Sequence, residues 1–184
     1  MMKDRQEKTR KLIFTGMMTA VVCVLSILEI PMPSGVPITL QTFALALCGY
    51  LLGWKLGFTA SLLYVVLGAV GVPVFSGMSG GVGVLTGFTG GFIWGFPVLG
   101  LLAGVGAQRK RLVPAVALGL AGLAVVHLLG SLQYSLLSGN GYGASFLLVS
   151  APYLIKDILS VAGAYAISLA ILRALRSAHL YSLG

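Results

Sequence analysis

A lysine and an aspartate lie side by side in an otherwise apolar stretch near the end of the chain. The stretch covers residues 150–161 and reads SAPYLIKDILSV, and the pair is Lys156 and Asp157. Because an ionisable group is costly at membrane depth, it usually has a partner, faces a cavity and marks a path for a substrate or an ion. A cation beside a carboxylate at such a depth could bind a small molecule that carries its own carboxylate. This interpretation requires the stretch to lie within a membrane.

The composition of the chain is that of an integral membrane protein. Of its 184 residues, 58% are hydrophobic and only 9% are charged, whereas soluble domains have about 25% charged residues. The mean hydropathy is +1.00. Since a membrane-spanning helix takes roughly 20 residues, the sequence after Lys11 has room for about six helices and leaves little for a soluble domain. We therefore predict a single transmembrane domain over residues 1–184.

The basic residues predict how this domain is oriented. Apart from Lys156 they fall in four clusters, at residues 3–11, 55, 109–111 and 173–176. Each gap between two clusters is long enough for two helices, and the loop in its middle has no lysine or arginine. These three loops cover residues 30–38, 74–88 and 137–151. By the positive-inside rule the basic clusters are cytoplasmic, and this clustering argues against nucleic-acid binding despite a net charge of +8.

The predicted fold is all-α, with six transmembrane helices and both termini in the cytoplasm. The helices are predicted at residues 12–29, 38–53, 56–73, 92–108, 112–136 and 151–173. The three loops without basic residues then share the outer face, and Lys156 lies a little over one helical turn below that face. The first helix resembles a signal peptide, but its long apolar stretch and missing cleavage site predict that it is retained.

Tyr153, Lys156 and Asp157 share one face of the last predicted helix, because they are three and four residues apart. Residues adjacent in a helix point about 100° apart, so we expect Lys156 and Asp157 not to face each other well. Lys156 is expected to take its partner from Glu29, from a carbonyl of a glycine-rich loop or from a ligand carboxylate. The alternative is a self-contained pair that only orients the helix.

Residues 75–91, here called the glycine-rich segment, read FSGMSGGVGVLTGFTGG, with seven glycines in seventeen residues and no charge. Exposed backbone carbonyls and amides cannot face lipid, so the segment must be buried in protein or line a water-accessible cavity. Its interleaved apolar residues are not typical of a solvated linker. We predict a packed lid over the outer end of the helices, with side-chain hydroxyls from Ser79 and Thr89.

Other polar residues in the predicted helices have two interpretations each. Gln41, at the outer end of the second helix, suits either a polar ligand or a neighbouring helix. Glu29 is expected to be an interfacial, solvated carboxylate, and the alternative is that it contacts the ligand. His127 is expected to be a hydrogen-bonded core residue rather than a proton carrier. Gln133 and Tyr134 lie at the predicted depth of the lysine and could contribute an amide or an aromatic wall.

Gly16 and Ala20 are small residues four apart in the motif GMMTA of the first helix, a spacing that lets another helix approach closely. That helix could belong to this chain or to a partner. Enzymatic activity is not expected, because no nucleophile with a base and no metal-ligand cluster is visible, and His127 and His179 are far apart in the sequence. The chain also lacks a nucleotide-binding motif.

Two further segments carry a family resemblance. They read PITLQTFALALCGYLLGWKLG at residues 37–57 and GVPVFSGMSGGVGVLTGFTGGFIWGF at residues 71–96. On these residues the chain resembles the BioY family, the biotin-binding S components of energy-coupling factor transporters, and the resemblance extends from GMMTA to IKDIL. Phe88 and Phe92 stand where the family usually has proline and tyrosine, so a hydroxyl near the site is missing.

The resemblance implies an S-component-like bundle, a multi-pass protein of the prokaryotic plasma membrane that captures biotin from outside. The loops after the first and third helices would close over the ligand. The implied partners are the lipid bilayer, a transmembrane coupling subunit and two cytoplasmic ATPases, with Gly16 and Ala20 on the contact face. Biotin would be the transported ligand, and no cofactor is implied. The alternative is an S component for another small carboxylate-bearing vitamin.

The resemblance also implies roles for single residues. In the family, polar residues of the glycine-rich segment and an acidic residue with a lysine on the last helix bind the ligand. Lys156 matches the family lysine; many members have aspartate three residues earlier, where this chain has Tyr153, so Asp157 is expected to take the carboxylate role. The predicted ligand-binding residues are Gln41, Ser79, Gly81, Thr89, Tyr153, Lys156 and Asp157.

Overall fold

The computed structural model describes residues 2–109 and 111–177, with side chains from residue 5 onward. Lys110 and His179 lie outside the described residues, as does the side chain of Lys3. The helices are α1 (Met2–Ile27), α2 (Gln41–Ala69), α3 (Val82–Thr86), α4 (Gly90–Ala107), α5 (Leu112–Ser138), α6 (Tyr142–Val149) and α7 (Ala151–Ser177). A 3-10 turn covers Ser76–Met78, and two short strands, β1 (Glu29–Ile30) and β2 (Ile38–Thr39), pair antiparallel.

Five of these helices are long and apolar enough to cross a membrane, within the part of the chain that the structure describes. They are α1 from Arg5 onward, α2, α4, α5 and α7. The predicted class, a helical membrane protein, is therefore confirmed, with the small β1–β2 pair as an addition to the all-α prediction. Six transmembrane helices and cytoplasmic termini remain predictions.

The α2 helix contains the two predicted helices 38–53 and 56–73, which fold back on each other at Gly53. This residue has φ 77° and ψ 175°, a non-helical conformation that glycine adopts at little cost. Gln41 Nε2 donates a hydrogen bond of 2.8 Å to Tyr64 Oη, although 23 residues of straight helix would hold them about 34 Å apart. A Cβ on Gly57 would lie 2.7 Å from Gly49 Cα. The two halves of α2 are therefore antiparallel neighbours.

The structure corrects several predicted boundaries. Helix α1 begins at Met2 rather than at residue 12, since its basic segment is also helical and Lys11 Nζ pairs with Glu7 Oε1 at 2.5 Å, one turn away. It ends at Ile27, and Glu29 belongs to β1. Residues 38–39 form β2 instead of starting a helix. The second half of α2 ends at Ala69, before the positive-φ Gly71.

The predicted loop at residues 137–151 contains the eight-residue helix α6, which was not predicted. Its inner side is anchored by two buried residues, Ser145 and Val149. The remaining boundaries are close to the prediction: α4 covers Gly90–Ala107, α5 covers Leu112–Ser138, and α7 starts at Ala151 as expected but continues to Ser177.

The centre of the bundle is formed by α2, α4 and α5, which approach closely at glycines. A Cβ on Gly95 would lie 2.7 Å from Val126 Cα, and one on Gly122 would lie 2.9 Å from Leu99 Cα. Small residues at helix contacts are typical of membrane bundles, where backbones pack directly. Helix α1 packs on the outside of α2, and Thr19 Oγ1 donates a 3.3 Å hydrogen bond to the Ala60 carbonyl.

The glycine-rich segment is packed against the bundle, as the sequence predicted. Phe75 is 1% exposed and its ring lies edge-on to Tyr64 at 5.4 Å between centroids. The Gly81 amide donates to the Gly68 carbonyl at 2.6 Å. From α5, Gln133 Nε2 donates to the carbonyls of Leu85 and Gly87 at 2.9 and 2.7 Å. The segment therefore has a defined conformation, unlike a solvated linker.

Candidate ligand-binding site

A cavity of about 310 Å³ lies between two loops, residues 30–38 and the glycine-rich segment, and the helices α2, α4, α5 and α7. This volume is at the lower end of the range for small-molecule sites, roughly 300–1,000 Å³. Six of the seven residues predicted to bind ligand line it. They are Gln41, Ser79, Thr89, Tyr153, Lys156 and Asp157.

Lys156 and Asp157 form an ion pair with each other, so the expectation that neighbouring residues would not pair is wrong. Lys156 Nζ contacts Asp157 Oδ1 and also donates to the Thr39 carbonyl of β2 at 2.9 Å. The 100° argument applies to the directions in which side chains leave the helix, whereas the long lysine stem bends back toward the carboxylate. The lysine side chain is 33% exposed, whereas Asp157 is 4% exposed.

The Asp157 carboxylate is contacted from three helices. Thr42 Oγ1, on α2, donates to Asp157 Oδ1 at 2.5 Å. His127 Nε2, on α5, lies 3.3 Å from Asp157 Oδ2 without forming a hydrogen bond. We call Thr42, His127, Lys156 and Asp157 the charged cluster. It joins α2, α5 and α7 at the wall of the cavity.

His127 is 3% exposed and has the hydrogen bond expected of a core histidine, since its Nδ1 lies 3.0 Å from Ser150 Oγ. Ser150 Oγ in turn lies 2.7 Å from Ser131 Oγ. His127 also lines the cavity, which the sequence analysis did not predict. Phe92 covers the imidazole edge-on, with 6.0 Å between ring centroids.

The first loop, residues 30–38, is tied to α5 and α7 by two tyrosines. Tyr153 Oη donates to the Val36 carbonyl at 2.5 Å and lies 2.9 Å from Ser34 Oγ. Tyr134 Oη donates to the Ser34 carbonyl at 3.3 Å. Thus Tyr153 lines the cavity, but its hydroxyl is engaged by the loop.

The mouth of the cavity carries a second carboxylate. Glu29 is exposed, as expected, and also lines the cavity. Ser76 Oγ donates a hydrogen bond to Glu29 Oε2, and Ser79 Oγ donates to the Ser76 carbonyl at 2.7 Å. The glycine-rich segment and β1 are therefore linked at the mouth through Glu29.

Several predicted residues have structural positions instead of cavity positions. Gly81 does not line the cavity; its φ of 95° and its bond to Gly68 shape the turn before α3. Gln133 and Tyr134 hold the loops from α5 and are not among the lining residues. Gln41 lines the cavity and also donates a hydrogen bond to Tyr64 in the other half of α2, so its position is compatible with both interpretations, a polar ligand and a neighbouring helix.

Gly16 and Ala20 lie on an exposed face of α1, and a Cβ on Gly16 would have nothing within 4 Å. No group of three histidine, cysteine or carboxylate side chains is placed to hold a metal ion among the described residues. The lining residues that the sequence analysis did not select include polar and aromatic side chains. They are Thr39, Thr42, Ser76, His127, Phe75, Phe92 and Phe96.

The model of the BioY family matches residues 1–177. The chain belongs to the BioY family. It is 41% identical over 133 residues to a probable biotin transporter BioY of Pyrococcus horikoshii, covering 72% of this chain and 78% of the relative. It is 42% identical over 122 residues to the biotin transporter BioY of Thermotoga maritima, covering 66% and 72%. It is also 34% identical over 164 residues to the biotin transporter BioY2 of Lactococcus lactis, covering 88% and 90%.

A solved structure has the same fold. It is the crystal structure of the S-component for biotin from an ECF-type ABC transporter, with a TM-score of 0.83 and 23% identity, covering 91% of this chain and 93% of that one. The S-component-like fold is therefore confirmed. Membership of the BioY family also confirms that the chain is a transport protein rather than an enzyme, and with its apolar helices identifies a multi-pass membrane protein.

Proposed function

We propose that this BioY-family chain is the biotin-binding S component of a vitamin uptake transporter in a prokaryotic cell membrane. It captures biotin at the outer face and delivers it to the cytoplasm together with an ATP-driven coupling module. The observation that carries the proposal is the cavity of about 310 Å³ with Lys156 on its wall, in a chain whose relatives are named biotin transporters.

The polar groups of biotin match those of the cavity. Its valerate carboxylate needs a cation, which Lys156 supplies. Its neutral ureido ring has two N–H donors and one carbonyl acceptor, and Gln41, Ser79, Thr89 and Asp157 offer the complementary groups at the cavity wall. Hydrogen bonds to charged groups contribute more than neutral ones, so the carboxylate end should contribute most to affinity.

The apolar parts of biotin also have a counterpart in the cavity. Phe75, Phe92 and Phe96 line it from the glycine-rich segment and α4. Aromatic side chains bury a large apolar area in small-molecule sites, while a few polar groups fix the orientation of the ligand. The cavity has this composition, which favours tight binding of a small amphipathic molecule over catalysis.

Biotin binding to the purified protein in detergent tests the proposal directly. We expect tight binding that falls by at least about 100-fold in Lys156→Ala, because the ligand carboxylate then lacks its cation. Lys55→Ala is the matched control, since Lys55 is exposed at the turn of α2 and does not line the cavity, and it should bind like the wild type. Lack of biotin binding by folded wild-type protein, or preference for another carboxylate-bearing vitamin, would overturn the proposal.

The direction of capture rests on the distribution of charge along the helices. The cavity lies at the starts of α2 and α7, whereas Lys55 and the pair Arg173 and Arg176 lie at the turn of α2 and the end of α7. Under the positive-inside rule the basic ends are cytoplasmic, so the cavity opens outward. Counting the two halves of α2 separately gives six crossings and both termini inside, in a single transmembrane domain.

Cysteine labelling in intact cells tests this topology. In a background without Cys23 and Cys48, an impermeant maleimide should label Asn140→Cys, which is exposed beside the end of α5. Lys55→Cys should be labelled only after the cells are permeabilised. The opposite pattern would contradict an outward-facing cavity.

We further propose that Gly16 and Ala20 contact the transmembrane coupling subunit, which works with two cytoplasmic ATPases. Because Gly16 has open space beside it, Gly16→Leu should fold and bind biotin normally. Its biotin uptake in cells that contain the coupling module should fall severely, because the added side chain prevents close helix approach. Val21→Leu, at an exposed position on another side of the same helix, is the control, and equal uptake by both variants would exclude this contact face.

A further inference from the structure

His127 lines the cavity, and its Nε2 is a buried polar atom without a hydrogen bond. Among the described residues, the buried side-chain atoms without a hydrogen-bond partner are Ser26 Oγ, Ser145 Oγ and His127 Nε2. Of these three residues only His127 lines the cavity. Its Nε2 lies 3.3 Å from Asp157 Oδ2. Buried polar groups normally have partners, so this nitrogen is available for a change in charge or contact at the site.

The surroundings of the other ring nitrogen suit both protonation states of His127. Nδ1 lies 3.0 Å from Ser150 Oγ, and Ser150 Oγ lies 2.7 Å from Ser131 Oγ. A serine hydroxyl can either donate or accept. When the imidazole is neutral, Ser150 can donate to Nδ1; when it is protonated, Ser150 can accept from Nδ1 and donate to the His127 carbonyl, which lies 3.4 Å away.

The ion pair leaves no spare positive charge for an anionic ligand. The positive charge of Lys156 and the negative charge of Asp157 cancel, and Lys156 also donates to the Thr39 carbonyl. The other titratable groups that line the cavity are Tyr153 from α7 and Glu29 from β1. Among the described residues, those of α2 and α4 that line the cavity have no ionisable side chain. A ligand carboxylate therefore adds one uncompensated negative charge.

Lys156 cannot be the counter-ion of both the ligand carboxylate and Asp157 equally well. If Lys156 turns to the ligand, Asp157 keeps only Thr42 and the close contact with His127. An uncompensated carboxylate in buried surroundings is strongly unfavourable. Histidine is the side chain whose charge changes most readily near neutral pH. His127 Nε2 lies beside Asp157 Oδ2, whereas Lys156 and Thr42 contact Oδ1.

We propose that His127 takes up a proton when a carboxylate ligand binds, and that it replaces Lys156 as the counter-ion of Asp157. The inference rests on the proposed function in that the ligand is a carboxylate such as biotin. One proton moves from solvent to the imidazole nitrogen that lacks one, giving an imidazolium, and no other covalent bond changes. Ligand binding and proton binding are then linked. In the pH range where His127 is neutral in the free site and protonated in the liganded site, the affinity for the ligand rises as the pH falls.

Calorimetric titration of the full chain with biotin, in two buffers of different ionisation enthalpy at pH 7, measures this proton directly. We expect the two binding enthalpies to differ by an amount that corresponds to uptake of about half a proton or more per biotin. The wild-type dissociation constant should also increase several-fold from pH 6 to pH 8. The ligand carboxylate does not contribute there, because carboxylic acids titrate near pH 4 to 5.

His127→Gln should abolish the proton uptake, since glutamine keeps a polar side chain of similar reach without a titratable group. His179→Gln, at the other histidine of the chain, should retain it. Biotin binding by the wild type with equal enthalpies in both buffers and a flat pH profile would overturn this inference and leave the proposed function intact. Unchanged uptake in His127→Gln would also overturn it, whereas no biotin binding at all would overturn both proposals. The wild-type measurements decide the matter even if His127→Gln does not fold.

Discussion

The charged cluster and the two loops line the same cavity but are held in place by different kinds of contact. In the charged cluster, side chains contact side chains: Thr42 and Lys156 meet Asp157, and His127 approaches it. The loops are instead held through their backbone carbonyls. Tyr153 and Tyr134 bind the first loop, and Gln133 binds the glycine-rich segment.

This difference indicates where residue identity matters. Every residue has a carbonyl, so the loop positions that accept these bonds tolerate substitution as long as the anchors on α5 and α7 remain. In the charged cluster each side chain supplies a particular charge or donor, so each substitution removes a contact that depends on that side chain. Within the loops, the sensitive positions are those where the backbone lies against another group.

Asp157→Asn should have the largest effect on stability. It leaves the Lys156 ammonium without its counter-ion in a largely buried site, and breaking a buried ion pair costs about 3–5 kcal/mol. Because Lys156 is one-third exposed, solvent reduces this loss to about 2–4 kcal/mol. The thermal midpoint of the ligand-free protein, followed by size-exclusion chromatography after heating, measures it.

The matched control for Asp157→Asn is Glu29→Gln, at the exposed mouth of the cavity. Its midpoint should stay close to that of the wild type, because the exposed glutamine can still accept the hydrogen bond from Ser76 Oγ. Equal losses in the two variants would remove the distinction between the charged cluster and the mouth.

Gly68→Ala should have an intermediate effect, because it acts on packing beneath the glycine-rich segment. A Cβ on Gly68 would collide with the Phe75 ring, and overpacking of a dense interior costs about 1–3 kcal/mol. Since Phe75 lines the cavity, we expect a lower thermal midpoint together with weaker biotin binding.

Gly83→Ala provides the comparison for Gly68→Ala. Gly83 lies in α3 and a Cβ there would have nothing within 4 Å. Alanine also favours helix over glycine by about 1 kcal/mol, so the variant should be neutral or slightly more stable. A midpoint for Gly83→Ala as low as that for Gly68→Ala would show that the segment is sensitive throughout.

Tyr153→Phe should have the smallest effect of the three and should alter kinetics most. It removes the hydroxyl that holds the Val36 carbonyl and Ser34 while keeping the ring against the cavity. Loss of a hydrogen bond of about 1 kcal/mol should accelerate biotin release roughly fivefold in stopped-flow measurements. Tyr142→Phe, at an exposed tyrosine of α6, is the control; release at the wild-type rate in both variants would mean that this bond does not hold the loop closed.

The basic clusters made α4 and α5 predictable. Arg109 and Arg111 mark the junction of α4 and α5, so those boundaries were predicted within two residues. The first loop was harder, because its prolines indicate only where a helix stops, whereas β1 and β2 pair over two residues each, too few for an alternating pattern. Helix α6 has eight residues, and an apolar run of that length next to glycines gives no distinctive signal.

The site was predictable where a residue was anomalous in its segment. Lys156 and Asp157 are charges in an apolar run, and both line the cavity. Thr42 and His127 were not selected, because a hydroxyl or an imidazole in a membrane helix most often bonds within the core, and only the packing of α2, α5 and α7 brings them to one carboxylate. The Lys156–Asp157 contact itself depends on how a flexible side chain bends, which residue spacing does not determine.

The reversal at Gly53 has a consequence for the surrounding lipid. The two halves of α2, on either side of this glycine, have 12 and 16 residues, which correspond to helix lengths of about 18 and 24 Å. Both are shorter than a hydrocarbon core of about 30 Å. In a six-crossing arrangement, the bilayer beside Trp54 must thin, or Trp54 and Lys55 must reach outward to the headgroups. This hydrophobic mismatch should favour short-chain lipids on that side of the protein.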